Sequence, residues 1–463
     1  MLGFLFLGIM KVEVSGAIEF FEFSDIAQPI NMLPSSSQKE YILKYLAGLS
    51  ASTVIVEPCY FDKDYLDEFS SYYARSSQGY KNVCKRLHFF GPEKINRSNF
   101  FDAAADDVLK VERLNRNYLG FVVLRPIPVA PFGRTVLALY PDLDGNEARV
   151  TTPSRLYKAH VAGVLLEIEG LAWQQQDTGV AACATVSLWT MFHSSAFDEH
   201  HAIPTTAEIT KSARKFGSRP FPSVSLNLEQ IMEAINQQRL NPIAVSGDYD
   251  QVPANGFGRP FSKERFSNNI AAFVRSGYPV LLAGHYEGGV GHAICIVGFR
   301  DKVSTPCKSG MFTMADKDIE YVYVHDDNFG PNLRFKIEVG ANGAAVMVSS
   351  PPEYIKDGSP QKLMTFYPYS IVAAVHEDVR VSADELFQKG VASSTSVVRL
   401  ITNIYNLNKA VPPSFTFSPR FILLRDYFKT ELFKVLEGSS LAKVRLALFE
   451  TVPPMSLHLG VIR

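Results

Sequence analysis

The sequence predicts an α+β protein in which helices precede an antiparallel sheet. Between 227 and 238, apolar residues recur at the spacing of one helix face, at Leu228, Ile231, Met232 and Ile235. Four apolar runs bounded by turn residues follow this helix, and they lie at 278–283, 292–299, 319–325 and 333–339. Helices followed by consecutive strands are typical of the α+β class, so we expect a helical lobe packed against an antiparallel sheet.

The first 145 residues are expected to form a separate unit of mixed α+β structure. Residues 39–49 have a helical pattern, and strands are expected at 53–57, 119–124 and 135–140. The stretch 141–147 is rich in Pro, Asp, Gly and Asn, which favour turns and mark a boundary. We therefore predict a domain of unknown role at 1–145. Its apolar first ten residues lack the basic region of a signal peptide, so we interpret them as a strand or an over-long gene start.

The rest of the chain divides into two predicted regions. Regular helix and strand patterns run through residues 150–350, which we assign to one domain. Within it, Thr205 and Glu208 have the spacing of a capping box and predict the start of a helix. Residues 351–463 are expected to form a C-terminal α+β region that packs with the N-terminal domain. Its predicted elements are helices near 383–389 and 394–404, a strand at 420–424, a helix to about 450 and a terminal strand.

Composition and charge argue against nucleic acid and membranes as partners. The chain has 463 residues, of which 46% are hydrophobic and 20% are charged, and its formal net charge is −1. Proteins that bind nucleic acid or an anionic membrane surface usually present a basic field, and this chain has none. We therefore expect neither partner.

The cysteine pattern favours a reducing compartment, and we expect the protein in the cytoplasm. The five cysteines are Cys59, Cys84, Cys183, Cys295 and Cys307, and no two of them have Cys-x-x-Cys spacing. An odd number without such a pair makes a disulfide framework or a zinc ribbon improbable. We expect Cys295 to be buried in a strand, and Cys84 to be a free surface cysteine.

Cys183 is the candidate nucleophile. It follows a run of glutamines and Gly179, and it opens an apolar helical segment that extends to about His193. The N–H dipoles at a helix N-terminus lower the pKa of a thiol. Upstream, the side-chain amide of Gln176 and the backbone N–H of Cys183 are candidate donors to an oxyanion.

His292 and Asp326 are the candidate partners of that thiol. A thiol becomes a strong nucleophile when a base takes its proton and a third group orients the base. His292 follows a glycine-rich turn and begins an apolar strand, so its ring can face a cleft. Asp326 ends the next predicted strand, and neighbouring antiparallel strands bring the start of one beside the end of the other. Asp327 stays open as an alternative to Asp326 because strand alternation does not decide between them.

In this order, Gln176, Cys183, His292 and Asp326 resemble the papain-like cysteine peptidase superfamily. The segments 277–299 and 326–330 are similar to the bacterial peptidases that remove double-glycine leaders. The resemblance covers residues 150–345. The position at which that family usually carries the glutamine is occupied by Asp177, one residue after Gln176.

The resemblance implies a function and a set of partners. It implies a papain-like fold for the middle domain, a thioester on Cys183, proton transfer by His292 and hydrolysis of peptide or amide bonds. It implies a peptide or protein substrate and no cofactor. We expect the flanking regions to recruit substrate or to gate it, with a protein partner for the N-terminal domain.

Three alternatives remain open at the level of sequence. Transglutaminase-like and other acyltransferases use the same three residue types in the same order, but they pass the acyl group to an amine. A degenerate peptidase would bind peptides without cleaving them, and a scaffold would do neither. A metal site is suggested only by the acidic and histidine residues His193, Asp198, Glu199, His200 and His201. They lack the His-Glu-x-x-His spacing, so we expect no metal.

Overall fold

The computed structural model describes residues 18–104, 108–142, 148–177, 182–197, 201–213, 225–248, 258–302, 307–314, 319–350, 363–427, 439–451 and 458–462. The strand that we interpreted at the first ten residues lies outside these ranges, as do Asp198, Glu199 and His200 of the acidic and histidine group.

The N-terminal unit is built on a five-stranded antiparallel sheet. Its strands follow one another in chain order and in space, as β1 (Glu19–Glu22), β2 (Thr53–Tyr60), β3 (Cys84–Phe90), β4 (Tyr118–Leu124) and β5 (Phe132–Leu137). The helices between them are α1 (Ser37–Gly48), α2 (Lys63–Ser71), α3 (Arg97–Ala104) and α4 (Val108–Arg116), and a short 3-10 turn spans Tyr73–Arg75. The strands predicted at 53–57 and 119–124 and the helix at 39–49 are confirmed, and the strand predicted at 135–140 begins earlier.

Both faces of this sheet are buried, and one of them belongs to the core of the rest of the protein. Along β2, Val54 and Ile55 point to opposite faces and enter two different apolar clusters. The cluster that contains Ile55 continues through Leu188 and Ile294. The N-terminal unit therefore shares its larger core with the elements that carry the candidate site.

A β-hairpin links the two units. Its strands are β7 (Arg155–Val161) and β8 (Val164–Gly170), and the short strand β6 (Arg149–Val150) precedes them. β8 packs against α4, β4 and β5. The hairpin lies after the boundary that the sequence predicts near 145, yet it covers the N-terminal sheet.

The middle of the chain forms a closed six-stranded antiparallel barrel. Around the barrel the strands are β10 (Val280–Tyr286), β11 (Gly291–Asp301), β13 (Ile319–Asp326), β14 (Gly330–Val339), β15 (Ala345–Ser350) and β16 (Thr365–His376). The barrel closes because β16 pairs with β10 as well as with β15. The outer strand β9 (Leu240–Ser246) also pairs with β16, and β6 pairs with β11. The fold class is thus α+β with antiparallel sheets, as the sequence predicts.

Four helices accompany the barrel, and they are α5 (Cys183–Phe192), α6 (Thr206–Ser212), α7 (Leu228–Gln237) and α8 (Lys263–Arg275). Helices α5 and α8 pack against barrel strands, and α6 and α7 pack on α5. The capping box predicted at Thr205 and Glu208 is present and begins α6. Every residue of α5 is buried, and this helix lies against β11, β10 and β13. The barrel and α5 together fix the positions of the candidate catalytic residues.

The C-terminal region packs mainly on α8. Helix α9 (Ala383–Leu407) and strand β18 (Pro419–Leu423) both contact α8, whereas we expected this region to pack with the N-terminal domain. The two helices predicted in this region are one continuous helix, α9. The other elements are β12 (Phe312–Met314), which pairs in parallel with β17 (Phe415–Phe417), then α10 (Leu424–Asp426), α11 (Ser439–Thr451) and β19 (His458–Ile462), which pairs with β18.

The predicted boundary at 350 differs from the observed sheet. Strand β16 lies after that boundary, but it hydrogen-bonds to β9, β10 and β15 and closes the barrel. The middle unit therefore extends to His376.

Among the described residues, none of the helices combines the length and the apolar character that crossing a bilayer requires.

Candidate active site

Cys183 is the first residue of α5, where backbone N–H groups have no partner within the helix. Ala182 caps this end and offers no side-chain oxygen to those N–H groups. The helix is held on the barrel by a hydrogen bond from the Ser187 hydroxyl to the Ala293 carbonyl, at 3.3 Å. The Cys183 side chain is mostly enclosed, since the residue is 8% exposed. The thiol thus lies at the positive end of a helix dipole, on the side that faces β11.

His292, near the start of β11, lies between the thiol and a carboxylate. Its Nε2 is 3.1 Å from Oδ1 of Asp326, which ends the neighbouring strand β13. The same ring also interacts with the Cys183 thiol and lowers the pKa of that thiol. Because Nε2 faces Asp326, Nδ1 is the ring nitrogen left for sulfur. The three residues that the sequence predicted are therefore in contact in the order thiol, imidazole and carboxylate.

Three further contacts hold Asp326 in place. The Tyr286 hydroxyl donates to Oδ2 of Asp326 at 2.6 Å, and the backbone N–H of Asn328 donates to Oδ1 at 2.8 Å. The indole N–H of Trp173 donates to the Asp326 carbonyl at 2.8 Å. The Asp326 side chain is fully buried. Both carboxylate oxygens thus have a donor other than His292, which leaves the carboxylate little freedom to rotate.

Electrostatics favour a thiolate and an imidazolium. Burial raises the pKa of Cys183, but the hydrogen bond with His292 and the charge of that ring outweigh burial, and the pKa is lowered. Burial opposes charge on His292 as well, yet the charge and the hydrogen bond of Asp326 raise its pKa to about 11. Burial and the neighbouring Asp326 charge raise the pKa of Tyr286 well above its usual value, so Tyr286 stays a hydroxyl donor. The arrangement supports proton transfer between sulfur and the ring.

Gln176 reaches this site, but its amide already has a partner. Its Nε2 donates to Oδ1 of Asn328 at 2.5 Å. Asn328 in turn has its Nδ2 3.4 Å from Nε2 of His292. Gln176 is thus linked to the imidazole through Asn328, and the oxyanion role that we expected for it stays a prediction.

Asp327, the alternative third residue, is close to His292 without a hydrogen bond to it. Its Oδ1 is 3.5 Å from Nε2 of His292, compared with 3.1 Å for Oδ1 of Asp326. Burial is the main cause that raises the pKa of Asp327 well above its usual value. The shorter distance and the hydrogen bond therefore favour Asp326 as the residue that orients the ring. Among the described residues, His292, Asp326 and Asp327 also bring one donor atom each within 4.8 Å of one another, so that they could hold a metal ion.

Helix α1 of the N-terminal unit supports the turn that follows Asp326. The Ser37 hydroxyl donates to the Asn328 carbonyl at 3.1 Å, and the Gln38 amide donates to the Asp327 carbonyl at 3.5 Å. The ring of Tyr41 lies against Gly330 so closely that a Cβ atom at that position would clash with it. The N-terminal unit thus holds the turn that carries Asp326, Asp327 and Asn328.

A buried arginine supports the segment that leads to Cys183. The Arg125 guanidinium donates to the Gln175 carbonyl at 3.0 Å and lies 3.7 Å from Oδ2 of Asp177. It also donates to Oε2 of Glu68 in α2 at 3.2 Å, and all three charged side chains are 1–2% exposed. Asp177, the residue at the family's usual glutamine position, therefore takes part in an ion pair between the two units.

Sequence reasoning missed Tyr286, Asn328, Arg125 and Ser225. The Ser225 hydroxyl is 3.4 Å from the Cys183 sulfur and contributes to lowering the thiol pKa. No local pattern marks these four residues. The only available signal was position, since Tyr286 lies three residues after the strand predicted at 278–283 and Asn328 follows Asp326 in the same turn.

The other cysteines have different surroundings from Cys183. Cys84 is buried in β3 and 1% exposed, so the surface position that we expected for it is wrong. Burial raises its pKa to about 12. Cys295 is fully buried in β11, as predicted. Cys59 is exposed, and Cys307 is partly exposed.

Comparison with known proteins assigns no family. No protein-family model matches this chain, and no curated protein matches it significantly in sequence.

Proposed function

We propose that this protein is a cysteine hydrolase that cleaves peptide or amide bonds through an acyl-enzyme on Cys183. The observation that carries the proposal is the position of His292, whose Nε2 lies 3.1 Å from Asp326 and whose interaction with the Cys183 thiol lowers the pKa of that thiol. A thiol, an imidazole and a carboxylate in this order are the parts that nucleophilic acyl transfer requires. The lowered pKa of Cys183 supplies the nucleophile.

In the proposed reaction, the Cys183 thiolate attacks the carbonyl carbon of the scissile bond. The backbone N–H of Cys183, at the N-terminus of α5, donates to the oxyanion that forms. The Nδ1 proton of His292 passes to the leaving amine, and a thioester remains on sulfur. His292 then takes a proton from water, which attacks the thioester and releases the acid. Asp326 keeps Nε2 protonated throughout, so that Nδ1 is the nitrogen that exchanges protons.

The resemblance of residues 150–345 to papain-like peptidases supports the same assignment. In this proposal, α5 and the helices beside it are the helical lobe, and the six-stranded barrel is the antiparallel lobe that carries the imidazole and the carboxylate. A peptide or protein is the proposed substrate.

The test is hydrolysis of a mixed peptide library, read by mass spectrometry, with the wild type and Cys183→Ala. The wild type is expected to generate new termini, and Cys183→Ala to generate none while keeping its thermal unfolding temperature. Cys59→Ala removes an exposed cysteine of strand β2 in the N-terminal unit, and it is the matched control. Cleavage by Cys183→Ala at the wild-type rate would exclude the proposal.

A further inference from the structure

Asp327 has a buried carboxylate that lacks hydrogen-bond donors among the described residues. Its side chain is 2% exposed, and neither of its oxygens accepts a hydrogen bond from another described residue. The nearest basic group is Nε2 of His292, at 3.5 Å from Oδ1. A carboxylate removed from water without hydrogen bonds is costly, and in proteins such groups are commonly paired or coordinate a metal. The proposed hydrolytic reaction makes no use of Asp327.

The atoms around Asp327 have the spacing of a cation's ligands. Nε2 of His292 is 3.1 Å from Oδ1 of Asp326 and 3.5 Å from Oδ1 of Asp327. Zinc binds nitrogen and oxygen donors at roughly 2.0–2.2 Å, so two ligands of a tetrahedral ion lie about 3.3–3.5 Å apart. Both separations come close to this value. The donor atoms of all three side chains lie within 4.8 Å of one another, so one ion could contact all three if they closed to that tetrahedral spacing.

The surroundings of these ligands are also those of a metal site. Metal-bound carboxylates are usually held by outer hydrogen bonds, and the Tyr286 hydroxyl and the Asn328 N–H both donate to Asp326. The Gln38 amide contacts the Asp327 carbonyl from helix α1. One imidazole and two carboxylates suit zinc and its first-row neighbours better than magnesium or calcium, which favour all-oxygen shells.

We propose that His292, Asp326 and Asp327 form a regulatory site for a divalent transition-metal ion, of which zinc is the representative. Binding of this ion reversibly stops catalysis. The inhibitory effect rests on the function proposed above, whereas the binding of the ion does not. Cys183 is not a ligand in this proposal, because its sulfur does not belong to the group of donor atoms that His292, Asp326 and Asp327 form.

The consequence for catalysis follows from the protons of the imidazole. When the ion binds Nε2, the proton held there leaves to solvent, and the ring keeps a single proton on Nδ1. A neutral ring held in this way cannot give up the Nδ1 proton without becoming an anion. It therefore cannot protonate a leaving amine or take a proton from water, and acyl transfer stops until the ion leaves. Acid should weaken binding, since protons compete for the same ligands.

Binding is tested with Co²⁺ titrated into metal-free full-length protein, read by its visible d–d absorption, with Zn²⁺ as the competitor. We expect one Co²⁺ ion per chain and d–d bands with the intensity of a four- or five-coordinate ion. These bands should disappear when Zn²⁺ displaces Co²⁺. Asp327→Asn should weaken binding by at least about tenfold. Cys183→Ala should keep both the bands and the affinity. Neither the wild type nor this variant should show a sulfur-to-metal charge-transfer band, because Cys183 is not a ligand. If Asp327→Asn does not fold, Asp327→Glu serves as the second variant, and a shift of its bands is expected.

Inhibition is tested separately on the wild type. The Zn²⁺ concentration that halves turnover should equal the dissociation constant from Co²⁺ displacement, and a chelator should restore turnover fully. Absence of d–d bands, or identical binding by wild type and Asp327→Asn, would overturn the proposed site. Binding without any turnover in metal-free protein would instead overturn the hydrolase function and leave the site intact.

Discussion

The indole N–H of Trp173 donates to the backbone carbonyl of Asp326 at 2.8 Å, across 153 positions of the chain. Trp173 belongs to the segment that leads to Cys183, and Asp326 ends the strand that carries the carboxylate of the candidate site. Trp173 is fully buried, and it also pairs with Thr135 of the N-terminal sheet. One residue therefore connects the approach to the nucleophile, the carboxylate and the N-terminal unit, through its indole and its backbone.

Tyr286→Phe tests whether the Asp326 carboxylate must be fixed. The substitution removes the 2.6 Å hydrogen bond to Oδ2 and keeps the ring beside His292. A hydrogen bond to a charged group contributes about 1.5–3 kcal/mol, so we expect kcat/KM to fall about tenfold or more. Tyr65→Phe, which removes a 2.7 Å bond to the Lys81 carbonyl in the N-terminal unit, is the matched control and should not lower kcat/KM. Equal losses in the two variants would show that Tyr286 acts only through stability.

Asp326→Asn and Asp327→Asn decide which carboxylate orients His292. An amide at 326 can donate to Nε2, which moves the ring proton to Nδ1 and removes the base. We expect the kcat of Asp326→Asn to fall by roughly 10²- to 10⁴-fold. In Asp327→Asn the kcat should fall much less, since Asp327 makes no hydrogen bond to the ring. Steady-state kinetics measure both variants, and a larger loss in Asp327→Asn would reverse the assignment.

The reactivity of Cys183 should depend on pH in two steps. Its pKa is lowered by His292, so the thiolate forms at a lower pH than in an ordinary cysteine, whose pKa is about 8.5. Alkylation by iodoacetamide should thus reach its plateau at a lower pH for Cys183 than for free cysteine in solution. Hydrolysis should persist until His292 loses its proton, at a pKa of about 11, and then decline.

The control for this profile is His292→Asn, in which the cationic neighbour is absent. The alkylation profile of Cys183 should then move to higher pH, because burial is left as the dominant influence and burial raises the pKa. Profiles of Cys183 that coincide in wild type and His292→Asn would contradict the proposed ion pair. Peptide mapping by mass spectrometry separates the cysteines.

Arg125→Met tests the buried ion pair between the N-terminal unit and the approach to Cys183. The substitution leaves Glu68 and Asp177 buried without their cation, which should lower the free energy of unfolding by about 3–5 kcal/mol. Arg113→Met breaks an exposed ion pair with Glu93 and is the control, for which we expect little change. Urea unfolding measures both variants. A small effect for Arg125→Met would mean that the two carboxylates become protonated at little cost.

The sequence was sufficient to find Cys183, His292 and Asp326 because each lies at the end of an apolar element. Such positions combine a rigid backbone with access to a cleft, and they leave a local pattern. Asp326 and Asp327 could not be distinguished, because a register shift between Val324 and Asp326 disturbs the strand alternation just before them. Tyr286, Arg125 and Ser37 left no pattern, since their roles arise from contacts with parts of the chain far away in sequence.

Errors in the predicted fold have similar causes. The strand β3 was not predicted because Lys85 and Arg86 interrupt its apolar pattern. Arg86 is nevertheless buried, with an ion pair to Glu57 and a hydrogen bond to the His160 carbonyl. Helix α9 was predicted as two helices because Gly390 interrupts its pattern, although one glycine costs a helix only about 1 kcal/mol. Strand β16 was separated from the barrel because the closing pairs with β10 join residues almost ninety positions apart.

The most direct measurement is the intact mass of the protein after brief reaction with an activated aryl ester and acid quenching. If Cys183, His292 and Asp326 act together, the wild type should gain the mass of one acyl group, and peptide mapping should place it on Cys183. His292→Asn should gain none on the same timescale. An acyl group on Cys59 or Cys307 instead, or equal acylation of Cys183 in His292→Asn, would contradict the account.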